Sequence, residues 1–212
     1  MKWLLLSGVL GAALLAGTLA LAFDGEQSAA NGSDAGPYRG SEPAARFELP
    51  GFRLRNYDGR EIDSTSLRGR VVVLTFLDSQ CTDVCPILAS QIGGTIDRFS
   101  PAEREQVTAV AISTDPDEDT PASVRAFLGK QRALGRILYL RGTNDEMRPL
   151  WSRFQILASL ESGEDTLHSA PVRIYDRESV WVATLHTGVD LTEANLLHDI
   201  RAALDAGDEN SR

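Results

Sequence analysis

The chain has 212 residues, 30 of them acidic and 21 basic, for a formal charge of -9. That balance excludes non-specific attraction to nucleic-acid phosphates or to an anionic membrane face, and it points to partners that are neutral, basic or cationic. The length suits one domain of ordinary size with a proper core, once any targeting segment is set aside.

Lys2 is followed by Trp3 to Phe23, a stretch without charge made mostly of Leu, Ala, Gly and Val. It is long enough to span a bilayer as a helix, which takes about 20 apolar residues. It also ends in Ala20-Leu21-Ala22, the small-x-small pattern of a secretory cleavage site. Residues 1–23 are therefore read as an N-terminal membrane anchor or a signal peptide. The anchor is preferred, because signal peptides carry an apolar region of only about 7 to 15 residues. In both cases Lys2 stays inside and the rest crosses. The expected location is a single-pass cell-membrane protein with its domain on the extracytoplasmic side, or a secreted or periplasmic protein after cleavage. Thr18 stands where a lipoprotein signal needs cysteine, which excludes diacylglycerol attachment there.

Residues 24–45 are rich in Gly, Ser, Ala, Asp and Glu without apolar periodicity, the composition of a flexible tether. The folded domain is expected over 46–206, with 207–212 as a polar tail. Phe52-Arg53-Leu54-Arg55 alternates like a half-buried strand, and Asp58-Gly59 signals a hairpin turn. Val71 to Phe76 is a continuous apolar run, as in a strand covered on both faces. After it, Leu88, Ile92, Ile96 and Phe99 recur at helical spacing, with Gly93-Gly94 suggesting close packing.

Val107 to Ser113 reads as a second buried strand, and Thr120-Pro121 as the cap and first residue of a helix ending near Gly135. Ile137 to Leu140 is a third strand, and a helix follows around Arg148 to Phe154, with Pro149 starting or kinking it. Val172 to Tyr175 and Val180 to Leu185 form a hairpin. Thr192 then caps a last helix with Leu196, Leu197, Ile200 and Leu204 on one face. The pattern describes an α/β domain, a central mixed sheet with helices on both faces.

The only two cysteines, Cys81 and Cys85, sit at the junction between the first buried strand and the helix after it. Pro86 belongs in the first helical turn, so the helix begins at or just before Cys85 and its field favours both thiolates. With three residues between them, the sulfurs can bond to each other or share one metal ion. A structural disulfide is the plain alternative, but closing so short a loop removes little chain entropy from a domain that needs no staple. Cys81 precedes the helix and is expected to be the more mobile sulfur.

A soft metal held by two sulfurs needs a further ligand, and histidine is the usual source. His198 lies away from the apolar stripe of its helix and reads as a surface residue, and His186, at a strand end, as structural or surface. His168 follows the polar loop Glu161 to Thr166 and precedes the strand at Val172, and on spacing alone its ligand role stays open.

The run Cys81-Thr82-Asp83-Val84-Cys85-Pro86, the segment Ser113-Thr114-Asp115-Pro116-Asp117-Glu118-Asp119-Thr120-Pro121, and His168-Ser169 before a strand together resemble the Sco/SenC proteins. These are membrane-tethered, thioredoxin-like copper proteins linked to assembly of the binuclear copper site of cytochrome c oxidase. The resemblance covers about residues 46 to 206. It implies a thioredoxin-like fold and a copper site formed by Cys81, Cys85 and His168. Asp115 to Asp119, taken by itself, reads as a solvated turn leading to a helix cap rather than a metal site. The chain departs from the family pattern at Thr82, commonly proline, at Leu167, commonly an aspartate that would orient the imidazole, and at Pro171, which interrupts the start of the following strand.

The leading expectation is binding of Cu(I) or Cu(II) and delivery to the copper-site subunit of cytochrome c oxidase or another copper-accepting protein, after reduction of Cys81 and Cys85 by a thiol reductant protein. The alternative is a thiol-disulfide reductase acting on partner cysteines without metal, with Cys81 attacking and Cys85 resolving. A peroxidase fits the segments less well, because it needs an activated peroxidatic thiol with a nearby arginine. A scaffold with a structural disulfide is the remaining option.

Overall fold

Exposed and buried side chains alternate along β1 (Arg53–Asn56), which pairs antiparallel with β2 (Glu61–Asp63). The turn between them places Gly59 at φ 91°, a conformation open to glycine at no steric cost. The computed structural model describes residues 36–156 and 171–209. The chain continues through β3 (Val71–Leu77), α1 (Val84–Asp97), α2 (Pro101–Arg104), β4 (Val107–Ser113), α3 (Pro121–Lys130), β5 (Ile137–Arg141), α4 (Asn144–Arg153), β6 (Pro171–Tyr175), β7 (Trp181–His186) and α5 (Glu193–Glu209).

The seven strands form one mixed sheet in the order β2-β1-β5-β4-β3-β6-β7. Strands β3, β4 and β5 are parallel, and β1, β6 and β7 join antiparallel to their neighbours. Every residue of β3 and β4 is buried, as the continuous apolar runs require of strands covered on both faces. Residues of α1, α3 and α5 pack on Val71, Val73 and Leu77, while Met147, Leu150 and Trp151 of α4 pack on the other face against Leu74, Phe76 and Ile112. Both faces thus carry helices, as expected.

Several element ends differ from the sequence reading. Helix α3 stops at Lys130 rather than near Gly135, because Arg132 takes a left-handed φ of 57° and the Ala133 N–H bonds the Leu128 carbonyl. Helix α4 starts at Asn144, where Thr143 and Glu146 form a capping box, and Pro149 lies inside it. The short α2 begins with a second such box, from Ser100 and Glu103. Pro171 does not interrupt β6 but is its first residue, a position that needs no N–H for the ladder. Thr192 caps α5 as expected, accepting from the Asn195 amide at 3.1 Å, and Gly207 lies within that helix.

Part of the expected tether is docked. The Arg39 and Gly40 amides donate to the buried Asp199 carboxylate at 2.8 and 2.9 Å, and Ser41 bridges to Thr184. A side-chain carbon on Gly40 would fall 2.5 Å from the Thr184 carbonyl oxygen, so only glycine allows this approach. Residues 1–23 lie outside the described residues, among which no helix is long and apolar enough to cross a membrane.

The two glycines of α1 differ in what surrounds them. A carbon added at Gly93 would sit 3.1 Å from the Ala133 Cα, whereas one at Gly94 would meet only the carboxylate end of the Glu193 side chain. Gly93→Leu is therefore expected to lose about 1–3 kcal/mol in urea unfolding, with Gly94→Ala staying within about 1 kcal/mol of wild type. Equal losses from the two substitutions would show that backbone contact at Gly93 is not what the glycine serves.

Candidate functional site

Strand β3 delivers the chain to the cysteines and α1 carries it away. Between them the Asp78 side chain accepts from the Gln80 amide at 2.6 Å, and the Asp78 carbonyl accepts from the Cys81 amide at 3.3 Å. This turn ends at Asp83, the residue before α1, whose side chain makes no capping bond. Pro86, the third helical residue, has no N–H, so the first turn offers fewer free donors than a usual helix start.

Cys85 is 2% exposed and packs in the core with Val84 and Leu88, whereas Cys81 is only partly buried. Neither cysteine is in a disulfide. Burial pushes the Cys85 thiol well above its ordinary range. The Asp78 amide opposes this by hydrogen-bonding the sulfur, and the neighbouring Cys81 and Asp78 carboxylate raise it further. The expectation that the helix field activates both thiolates is thus corrected for Cys85. Helix ends contribute about 0.3–1 kcal/mol to a nearby charge, and desolvation of a buried thiolate outweighs that. Asp78 is itself raised, first by burial and then by Asp119 and Asp115, against the Gln80 amide that lowers it.

Asp119 is where the structure departs most from the sequence reading. The segment Asp115 to Asp119 does lead to a cap, since Thr120 accepts from the Ser123 amide, but Asp119 is fully buried rather than solvated. Its Oδ1 accepts from the Ser79 amide at 2.8 Å. Its Oδ2 accepts from the Ser113 hydroxyl at 2.6 Å and the Tyr139 hydroxyl at 2.7 Å. The Tyr139 oxygen is also 2.9 Å from the Leu77 carbonyl. A phenol has one proton, and the anionic acceptor takes it, because Leu77 already accepts from the Thr114 amide at 2.9 Å. The Arg141 Nε donates to the Asp119 carbonyl. Burial and then the Asp119 charge hold the Tyr139 phenol well above its usual range.

Asp119 therefore ties the loop entering the cysteine turn to the ends of β4 and β5. Sequence reasoning missed it because an acidic run beside a cap reads as solvated. The signal within reach was the placement of the fourth and last acidic residue, after a strand and before a Thr-Pro helix start, where a carboxylate can turn back under the loop. A further bond, between the Ser79 and Ser123 hydroxyls at 3.1 Å, fastens the same loop to α3.

Of the three residues expected to bind metal, Cys81 and Cys85 are brought together, and His168 lies outside the described residues. His198 stays on the surface beside Asp199, and His186 ends β7. Among the described residues no group of three His, Cys, Asp or Glu side chains is arranged to hold a metal ion. The cysteine pair supplies two soft donors, and a third must come from beyond those residues.

A family model described as SCO1/SenC matches residues 41–205. The chain is 25% identical over 161 residues to the mitochondrial protein SCO2 of Saccharomyces cerevisiae, a match covering 73% of this chain and 52% of that protein. It spans about half the length of the curated relatives it matches. The crystal structure of yeast Sco1 with copper bound aligns with 22% identity and a TM-score of 0.62, over 78% of this chain and 96% of that one. A structure of BsSco, described with a disulfide switch and as a member of the Sco family of cytochrome c oxidase assembly proteins, aligns with 20% identity and a TM-score of 0.63, over 77% and 96%. The expected thioredoxin-like class is thereby the observed fold.

The asymmetry of the pair sets an order of reaction. Iodoacetamide at neutral pH is expected to modify Cys81 at least about tenfold faster than Cys85, as read by peptide mass mapping. The Cys85 rate should rise on moving to higher pH, because its thiol ionises above the ordinary range. Equal rates would contradict the burial of Cys85. Separately, Asp119→Ala leaves the Ser79 amide and the Ser113 and Tyr139 hydroxyls without their acceptor, and is expected to cost about 3 kcal/mol or more in urea unfolding.

Proposed function

Because the chain belongs to the SCO1/SenC family, we propose that it is an extracytoplasmic copper carrier that binds the ion through Cys81, Cys85 and His168. Its cargo goes to the copper-site subunit of cytochrome c oxidase or another copper-accepting protein. The observation that carries this reading is the paired sulfurs at the start of α1, one in the core and one toward solvent, at the end of the buried strand β3. The yeast relative solved with copper supports the choice of metal.

The entry of the chain into β6 supports His168 as the third ligand. Strand β6 runs antiparallel to β3 with Leu74 opposite Arg173, and the Thr75 hydroxyl donates to the Pro171 carbonyl at 3.0 Å. The chain thus enters β6 at the end of the sheet from which β3 leaves for the cysteines. Position 168 is three residues earlier in the sequence, a reach of at most about 11 Å of extended chain. Leu167 in place of an aspartate leaves the imidazole without that orienting carboxylate.

Copper binding requires both cysteines as thiolates, so loading releases their protons and overcomes the burial that keeps Cys85 neutral. A Cys81–Cys85 disulfide has no thiolate to offer, so a thiol reductant protein must act first. Release begins from the Cys81 side, which an acceptor's ligand can reach. Residues 1–23 hold the domain at the membrane, a role that the N-terminal sequence of the mature protein tests directly.

The half-exposed and buried pair also suits thiol exchange, and the disulfide switch described for BsSco keeps this second reading in view. Here the Cys81 thiolate attacks a partner disulfide, releasing one partner thiolate. Cys85 then displaces the other, so the partner gains two electrons and the pair becomes a disulfide. Titration of copper into the reduced protein separates the two readings. One copper per chain is expected, with sulfur-to-copper charge-transfer absorbance lost in Cys81→Ala and Cys85→Ala. His168→Ala should weaken binding by more than the ~10–100-fold typical of losing an outer-shell partner. Binding unchanged in His168→Ala overturns the three-ligand site, and a wild type that reduces a disulfide without binding copper establishes the reductase.

A further inference from the structure

At the end of the sheet where β3 begins, away from the cysteines, basic side chains gather. Four arginines from separate parts of the chain line one cleft of about 420 Å³: Arg60 after the β1–β2 turn, Arg70 just before β3, Arg104 at the end of α2, and Arg136 just before β5. The only carboxylate in its lining is Asp58. Arg136 is paired with Asp97 at 2.8 Å, and Arg60 with Asp58 at 3.5 Å. Among the described residues the Arg104 guanidinium donates only to the Phe99 carbonyl, at 3.0 Å, and the Arg70 guanidinium only to the Thr108 hydroxyl, at 3.4 Å. Neither has an ion-pair partner among the described residues.

Like charges gathered in a concave site repel one another and focus a positive potential that draws an anion. In a chain of net charge -9 that gathering runs against the whole. The guanidinium fork matches phosphate oxygens in pairs, and the cleft adds the Thr108 hydroxyl beside Arg70. We infer that this cleft is a binding site for a phosphate-bearing anion, with Arg70 and Arg104 as its principal ligands. It is formed where the parallel strands begin, so the length of β3, roughly 20 Å, separates it from the cysteines. The inference is independent of copper binding.

The test uses the full chain in neutral detergent, titrated calorimetrically with diphosphate and with glycerophosphoglycerol, a phosphodiester headgroup without its acyl chains. Saturable diphosphate binding at one per chain is expected. Arg70→Gln and Arg104→Gln should each weaken it about tenfold, and added salt should weaken it further. Cys81→Ser/Cys85→Ser should leave it unchanged, which sets this site apart from the copper site. Comparable binding of the diester identifies a lipid headgroup as the source, and binding of diphosphate alone identifies a free phosphate compound. No saturation of either below about 10 mM, or equal binding by the Arg70→Gln/Arg104→Gln double variant, overturns the inference.

Discussion

The buried carboxylate of Asp119 is the constraint on which the cysteine end of the molecule depends. Removing a carboxylate from water costs several kcal/mol, and three donors at 2.6 to 2.8 Å offset that cost. Those donors come from the loop after β3, from the end of β4 and from β5, so satisfying one charge fixes three chain segments relative to each other. The Trp151 indole donates to the Ser113 carbonyl at 2.9 Å, which joins α4 to the same point. The turn that positions Cys81 therefore starts from an anchored Ser79 rather than from a free loop.

At Cys85 two effects oppose each other, and burial wins. The helix start favours a thiolate, yet the sulfur lies in the core with Val84 and Leu88, beside an Asp78 carboxylate that disfavours a second negative charge. Burial thus favours the neutral thiol at Cys85. A cation that replaces the proton, or a disulfide that removes it, relieves the cost of a buried anion. Both proposed chemistries exploit the same unfavourable ionisation, and they differ only in whether a metal ion or Cys81 takes the place of the proton.

The elements legible in the sequence were those set by long apolar patterns. The β4 limits, the β6–β7 hairpin and the stripe of α5 follow from periodicity that tertiary packing reinforces. The misread ends were decided by local bonds, such as the Thr143–Glu146 box and the left-handed Arg132. The cysteine pair was visible because it is the only sulfur able to do this chemistry. Asp119 was hidden because its burial depends on Tyr139, twenty residues away, and on a fold that brings both under Leu77. The arginine cleft was hidden for the same reason, since residues 60, 70, 104 and 136 share no motif.

Carboxylates gather near the cysteine turn, and guanidinium groups gather in the cleft at the other end of β3. Asp78, Asp115 and Asp119 act on one another where β3 and β4 end, while Arg70 and Arg136 flank the starts of β3 and β5. The net charge of -9 averages over these two ends and describes neither. Locally, Asp78, Asp115 and Asp119 favour a cation over an anion at the cysteine turn, and the cleft arginines favour an anion. One sheet can therefore serve two ligands of opposite sign, at positions separated by the length of β3, roughly 20 Å.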